Sequence, residues 1–238
     1  MESSTPSNQN PVPTAVLQSS QPPQSNQPAT TNSKFSIDEA LRFGWNTALK
    51  NLGFFIAIFV VALLVSFIPN FLANLLSKNI PILSLILFLL TWVLNVVISI
   101  GIVKITLKFV DSIKPEISDL FNAYNLFLNY ILGSILYGLI VLAGFVLLIV
   151  PGIIWAIKFQ FFSYLIIDKG LGPMDSLKQS SQITKGVKWN LFIFGLVLGV
   201  VNILGFLALG IGLLVTIPLT MVAQAYVYRK LLSQTPGI

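Results

Sequence analysis

Leu52–Leu76 reads LGFFIAIFVVALLVSFIPNFLANLL, an uncharged run in which only Ser66, Asn70 and Asn74 carry polar side chains. A helix needs about 20 apolar residues to cross a hydrocarbon core of about 30 Å, and this run exceeds that length. Unpaired backbone groups are not tolerated in hydrocarbon, so such a segment has to be helical. The alternating apolar–polar strands of a membrane barrel are absent.

The composition of the 238 residues agrees with this reading. Charged residues make up 9% and apolar residues 55%, with a mean hydropathy of +0.86. A soluble domain is roughly a quarter charged. A surface with so few charges suits lipid.

Five further apolar stretches follow Leu52–Leu76. They run over Ile80–Val103, Leu126–Val150, Ile153–Ile167, Leu191–Leu209 and Ile211–Tyr228. Pro151-Gly152 is read as the turn between the third and fourth, and Gly210 and Gly212 mark the turn between the last two. The expected fold class is therefore all-α integral membrane, with about six transmembrane helices arranged as three hairpins. The domains expected are a Ser/Gln/Pro/Asn-rich disordered tail over 1–34 and a six-helix domain over 35–232.

Charge sets the orientation. Lys34, Arg42 and Lys50 precede the first helix, and Lys104, Lys108 and Lys114 lie between the second and third. Lys169, Lys178, Lys185 and Lys188 lie between the fourth and fifth, and Arg229 and Lys230 follow the sixth. Twelve of the 14 cations thus fall on alternate connections, leaving Lys78 on the other face and Lys158 inside a span. Cytoplasmic loops carry such an excess, so both termini are expected inside, in the plasma membrane. Either the third and fourth stretches both cross, or 126–167 forms a re-entrant hairpin. Crossing is the preferred reading.

Each hairpin is preceded by a stretch with helical amphipathic spacing, expected to lie on the cytoplasmic surface. In the first, Ile37, Leu41, Trp45, Ala48 and Leu52 form the apolar stripe, and Ser36 with Glu39 makes a capping box. In the second, Pro115 opens a helix with Ile117, Phe121, Tyr124 and Leu128 on one face. In the third, Pro173 opens it, Met174, Leu177 and Val187 are apolar, and Gly186 ends it.

Catalytic chemistry finds little material. There is no Cys and no His, which excludes thiolate nucleophiles, disulfides, histidine acid–base work and a conventional serine triad. All eight carboxylates, Glu2, Asp38, Glu39, Asp111, Glu116, Asp119, Asp168 and Asp175, lie outside the apolar spans. No enzyme activity, cofactor or metal is expected. The net charge of +6 is assigned to anionic lipid head groups rather than nucleic acid.

Within the spans, Asn95, Asn129, Gln160, Ser163, Asn202, Thr220 and Gln224 are expected to hydrogen-bond between helices. Gly195 and Gly199 are spaced to let two helices approach, and Pro218 is expected to kink the sixth helix. Lys158 has no acid at its depth to pair with. Together with Gln160 and Asn202 it forms the candidate contact for an anion or a lipid head group. The competing reading of Lys158 is a lysine snorkelling from a short, shallow helix.

Val150-Pro151-Gly152-Ile153, Lys158, Asp168–Pro173, Ser176–Ser180 and Thr184-Lys185-Gly186 form a recurring signature, joined by Ile217-Pro218, Ala225–Arg229 and the opening Phe35–Lys50. Over residues 35–231 the chain resembles a broad family of bacterial multi-pass membrane proteins. That family is related to the membrane domain attached to some glycerophosphoryl diester phosphodiesterases. The resemblance implies a six-helix plasma-membrane protein. It does not imply the phosphodiesterase activity, which resides in a separate domain using His and metal-binding acids.

The function expected is a non-catalytic membrane protein that organises lipids or binds partner membrane proteins. Two alternatives stand beside it: a small-molecule or lipid transporter or its subunit, and the membrane module of a lipid-metabolising enzyme.

Overall fold

Leu52–Leu76 is a single helix in the computed structural model, which describes residues 34–76 and 81–235. The expected tail and the position of Lys78 lie outside the described residues. Within them every regular element is helical: α1 (Ile37–Lys50), α2 (Leu52–Leu76), α3 (Pro81–Val110), α4 (Phe127–Leu147), α5 (Ile149–Phe159), α6 (Phe162–Lys169), α7 (Pro173–Ile183), α8 (Lys188–Leu207) and α9 (Leu213–Ser233). Two short 3-10 turns, Ile117–Leu120 and Tyr124–Leu126, link α3 to α4.

Five stretches are long and apolar enough to cross a membrane: Leu52–Leu75, Ile82–Val110, Ile117–Leu147, Ile149–Lys169 and Lys188–Leu207. The sixth expected crossing, α9, is absent from that set. Thr216, Thr220, Gln224, Tyr226 and Tyr228 lower its hydropathy, and the reason is its surroundings. Eleven of its 21 residues are buried in protein. Among the described side chains of α2 only Phe55 and Ile58 are buried. The helix that faces protein can be polar, while the helices that face outward are almost wholly apolar.

α2 and α3 form an antiparallel hairpin. Phe55 packs on Phe109 at one level, and Ser66 donates to Asn95 (2.8 Å) further along. Asn95 therefore bonds between helices as expected. α3 extends past Val103 to Val110, so Lys104 and Lys108 belong to a helix rather than a loop. Burial of Ile105, Thr106 and Leu107 and the pairing of Lys108 with Asp119 (2.7 Å) hold those last turns.

Of the stripe expected in α1, Ala48 is buried and Ile37, Leu41 and Leu52 are partly buried. The buried face of the helix is Ala40, Gly44 and Ala48, pressed against α9, while Trp45 is exposed. A Cβ at Gly44 would stand 2.6 Å from the Leu219 carbonyl oxygen, so only glycine allows this approach. The Ser36 cap is present, its hydroxyl accepting from the Glu39 N–H (3.4 Å).

The second amphipathic helix does not form. The two 3-10 turns bury Asp119 and Leu120, with Ala123 buried between them, whereas Ile117, Phe121, Tyr124 and Leu128 are exposed. The third forms as α7 with Pro173 at its start. Leu177 and Val187 are buried and Met174 is exposed. The helix stops at Ile183, ahead of Gly186, whose φ of +84° turns the chain.

The α4–α5 apex is at Leu148, in extended conformation, and not at Pro151-Gly152. Pro151 instead occupies the first turn of α5, where a missing N–H breaks no intrahelical bond. The fourth stretch is broken again at 160–161 into α5 and α6. Gly195 and Gly199 face open space within the chain, so they mediate no close approach among the described residues. α9 runs unbroken through Pro218.

Candidate functional site

Charges and hydroxyls converge at the end of the bundle where α3, α6 and α9 finish. Arg229, near the end of α9, bonds Asp111 through two nitrogens (2.9 and 2.6 Å) and Asp168 through a third (2.7 Å). The Tyr228 hydroxyl donates to the same Asp168 oxygen (2.8 Å). Burial works against the Arg229 charge. The hydrogen bonds to Asp168 and Asp111 outweigh it and raise the guanidinium above its ordinary value. Both carboxylates bridged by Arg229 are thus occupied by a cation.

Two further pairs stand beside this network. Tyr226 donates to Glu39 on α1, and Lys230 approaches the same carboxylate at 3.3 Å. The Tyr226 bond is the largest influence on Glu39, and with Lys230 it outweighs desolvation and holds the carboxyl below its usual 4.5. Asp119 accepts from Lys108 and from the Glu116 N–H (2.8 Å), closing the first 3-10 turn.

Between α3, α4, α6 and α9 lies a cavity of about 290 Å³, walled by Ser99, Thr106, Tyr130, Gln160, Ser163, Tyr164 and Gln224 with Ile102, Val103 and Met221. The lining offers hydroxyls and amides and no formal charge. It suits water or a small neutral polar molecule. Gln160 donates to the Ile157 carbonyl (3.1 Å) and faces this cavity.

Lys158 does not share it. Its ammonium lies 4.8 Å over the Phe159 ring, in a separate cavity of about 460 Å³ with Leu139, Ile140, Ala143 and Trp155. Its carbonyl accepts from Ser180 of α7 and from Thr184 just after it, both at 3.1 Å. Asn202 on α8 lines neither cavity, and its Oδ1 is buried without a hydrogen-bond partner among the described residues. The three candidate residues are therefore not brought together.

Two larger grooves repeat the surroundings of Lys158. One, about 740 Å³, runs between α1, α8 and α9, with Arg42, Trp45, Asn46 and Thr216 beside Leu41, Leu204 and Leu219. The other, about 550 Å³, lies between α5 and α8, with Lys188 and Trp189 beside Val150, Ile153, Ile157 and Phe192. Each of the three spaces joins one cation and one tryptophan to an apolar wall.

The residues that carry the resemblance have structural partners. Ser176 donates to the Pro173 carbonyl (2.7 Å), Ser180 and Thr184 cap the end of α5, and Asp168 holds Arg229 and Tyr228. The contacts to Lys158 and Arg229 and the polar cavity were not legible beforehand, because they join segments far apart in sequence.

Residues 131–235 match the sequence model of the family described as "Protein of unknown function (DUF975)". The chain is also similar to an uncharacterized protein of Mycobacterium bovis and an uncharacterized protein of Mycobacterium tuberculosis. Each is 28% identical over 131 residues, which is 55% of this chain and 40% of the relative. The chain thus spans about 40% of the length of the curated relatives it matches. No solved structure matches. These similarities do not extend to the glycerophosphoryl diester phosphodiesterases.

Proposed function

We propose that the chain is a multi-pass plasma-membrane protein with both termini and its basic connections in the cytoplasm, acting without catalysis to hold anionic phospholipids against its helices. The observation that carries this reading is the threefold pairing of Arg42 with Trp45, Lys158 with Trp155 and Lys188 with Trp189, each at an apolar groove. Acyl chains fit the apolar walls. The cation meets a phosphate, and tryptophan is the side chain favoured at the head-group level. Asp111 and Asp168, both clamped on Arg229, are poorly placed for acid–base work.

Native mass spectrometry of the full chain in mild detergent tests this. The wild type should retain anionic phospholipid, and the combined Arg42→Gln, Lys158→Met and Lys188→Gln variant should lose most of it. Equal retention by both would overturn the reading.

A second reading, passage of a small neutral polar solute, is favoured by the uncharged cavity around Gln160 and Gln224. Uptake of such a solute into proteoliposomes, abolished by Gln224→Leu, would support it over the first.

A further inference from the structure

The cavity between α3, α4, α6 and α9 adjoins the break that divides α5 from α6. Hydroxyls of another segment tie that break down. The Phe161 N–H donates to the Ser180 hydroxyl (3.1 Å), and the Lys158 carbonyl accepts from Ser180 and Thr184. Interrupted helices at membrane depth occur where they are buried in protein or line a hydrated space. In membrane transporters such interruptions supply binding sites. Here Gln160, Ser163 and Tyr164, at and just after the break, all line the cavity.

Tyr164 is only 7% exposed, and its ring stacks on Tyr228 with centroids 5.2 Å apart. Its hydroxyl bonds no other group among the described residues, yet it is not sealed off from open space. A buried hydroxyl without a partner is costly, so an occupant of the cavity that bonds it is favoured. The Tyr130 and Ser163 hydroxyls and the Gln224 amide also have no hydrogen-bond partner among the described residues.

The hydrogen-bonding pattern selects the occupant. Ser99 and Thr106 donate to carbonyls of their own helix, those of Asn95 and Val103, both at 2.8 Å. Their oxygens keep spare acceptor capacity, as does the Gln160 side-chain carbonyl, whereas Tyr130, Ser163, Tyr164 and Gln224 can both donate and accept. No ionised side chain lines the cavity. The charged network behind Tyr228 is closed on itself, since Arg229 is held by Asp111 and Asp168. A carboxylate or phosphate would find no cation here, and an ammonium no carboxylate. An apolar molecule would leave the Tyr164 hydroxyl unbonded. A hydroxyl group donates and accepts through one atom, so several of them on one small frame satisfy such a lining. At about 290 Å³ the space lies at the lower limit of small-molecule sites.

We propose that this cavity binds an uncharged, polyhydroxylated molecule through Tyr130, Ser163, Tyr164 and Gln224. The hydroxyls arrive on a free polyol or on the head group of an uncharged glycolipid. This names the class of solute for the second reading above and rests on that reading's uncharged cavity. Binding does not require passage, so the two can fail separately.

Saturation-transfer NMR on the full chain, in a detergent without a sugar head group, reads the binding of xylitol and myo-inositol. Gluconate and glucosamine serve as anionic and cationic counterparts. Both polyols should receive saturation from the wild type, and the charged probes little. Tyr164→Phe removes one oxygen and keeps the ring that stacks on Tyr228. It should weaken polyol binding about two- to tenfold, the effect of one neutral hydrogen bond. Gln224→Leu should weaken it at least as much. Tyr124→Phe removes an exposed hydroxyl outside the cavity and should bind as the wild type does. Ser163→Ala repeats the test with a smaller change should another variant fail to fold. Native mass spectrometry with monogalactosyl diacylglycerol covers the lipid source. Galactolipid retained by the wild type and lost from the combined Tyr164→Phe and Gln224→Leu variant supports the proposal even where free polyols give no signal.

Binding of neither the polyols nor the galactolipid would leave the cavity to water and overturn the proposal. Equal binding of gluconate or glucosamine would overturn it as well. So would polyol or galactolipid binding that survives unchanged in Tyr164→Phe and Gln224→Leu. Polyol binding without uptake into proteoliposomes would remove the reading of passage and leave this one standing. Uptake of a neutral solute lacking hydroxyls, with no polyol or galactolipid bound, would do the reverse.

Discussion

At Gly101 the backbone of the Leu120 turn comes so close to α3 that an added Cβ would overlap the Leu120 Cα, carbonyl carbon and oxygen. A side chain can rotate away from such a clash, but a backbone cannot. Overpacking of this kind costs about 1–3 kcal/mol, more than the gain of up to about 1 kcal/mol that alanine brings inside a helix. Gly101→Ala is therefore expected to lower the thermal midpoint in detergent and to open 117–120 to protease. Gly53→Ala in α2 meets nothing within 4 Å and should be neutral or slightly stabilising. Equal midpoints for the two variants would contradict this packing. The same contact explains why the 115–128 stripe misled. Ile117, Phe121, Tyr124 and Leu128 have helical spacing, but Leu120 and Ala123 are the residues α3 and its neighbours bury. Sequence periodicity records which residues are apolar, not which of them find a wall.

α2 was legible to the residue, because an uncharged run of that length permits no other form. α1 was legible as a helix but not in its docking, since Ala40, Gly44 and Ala48 count as weakly apolar until a partner backbone lies against them. Its docking also depends on charge. Glu39 accepts from Tyr226 and lies beside Lys230, and these hold its carboxyl below 4.5. A carboxyl whose folded value is depressed lends stability above its unfolded value, and that stability is lost as the pH falls through the folded value. The hold of α1 on α9 should therefore be constant at neutral pH and weaken below about 4.5. Hydrogen exchange of the α1 amides checks this. Acidification should speed it in the wild type, while Glu39→Gln should show faster exchange already at pH 7 and little further change. Because Glu39 is half exposed, the effect should be modest and smaller at high salt. An acid response that survives unchanged in Glu39→Gln would assign it to another group.

The assembled bundle inverts a rule of soluble proteins, since its most polar long helix, α9, is its most buried one. Hydropathy alone ranks α9 last among the long helices because of its polar side chains; Tyr226, Tyr228 and Arg229 among them bond residues distant in sequence, and those neighbours appear only once the chain is folded. What draws them together at one end is Arg229, which links the segment after α3 to α6 through Asp111 and Asp168. Arg229→Met would leave both carboxylates without their cation while they remain largely shielded, with side-chain exposures of 33% and 12%. Breaking a fully buried pair costs about 3–5 kcal/mol, and the partial exposure here lowers the expected loss to about 2–3 kcal/mol. Lysine has no fork to bridge two carboxylates, so Arg229→Lys should recover only part of it. If Arg229 acts as one joint between three elements, hydrogen exchange should rise together around residues 108–113 and 165–170 in the methionine variant. Loosening of only one of these segments would mean the two ion pairs are independent, and the end of the bundle would then be held by apolar packing of Tyr164, Phe161 and Tyr228 instead.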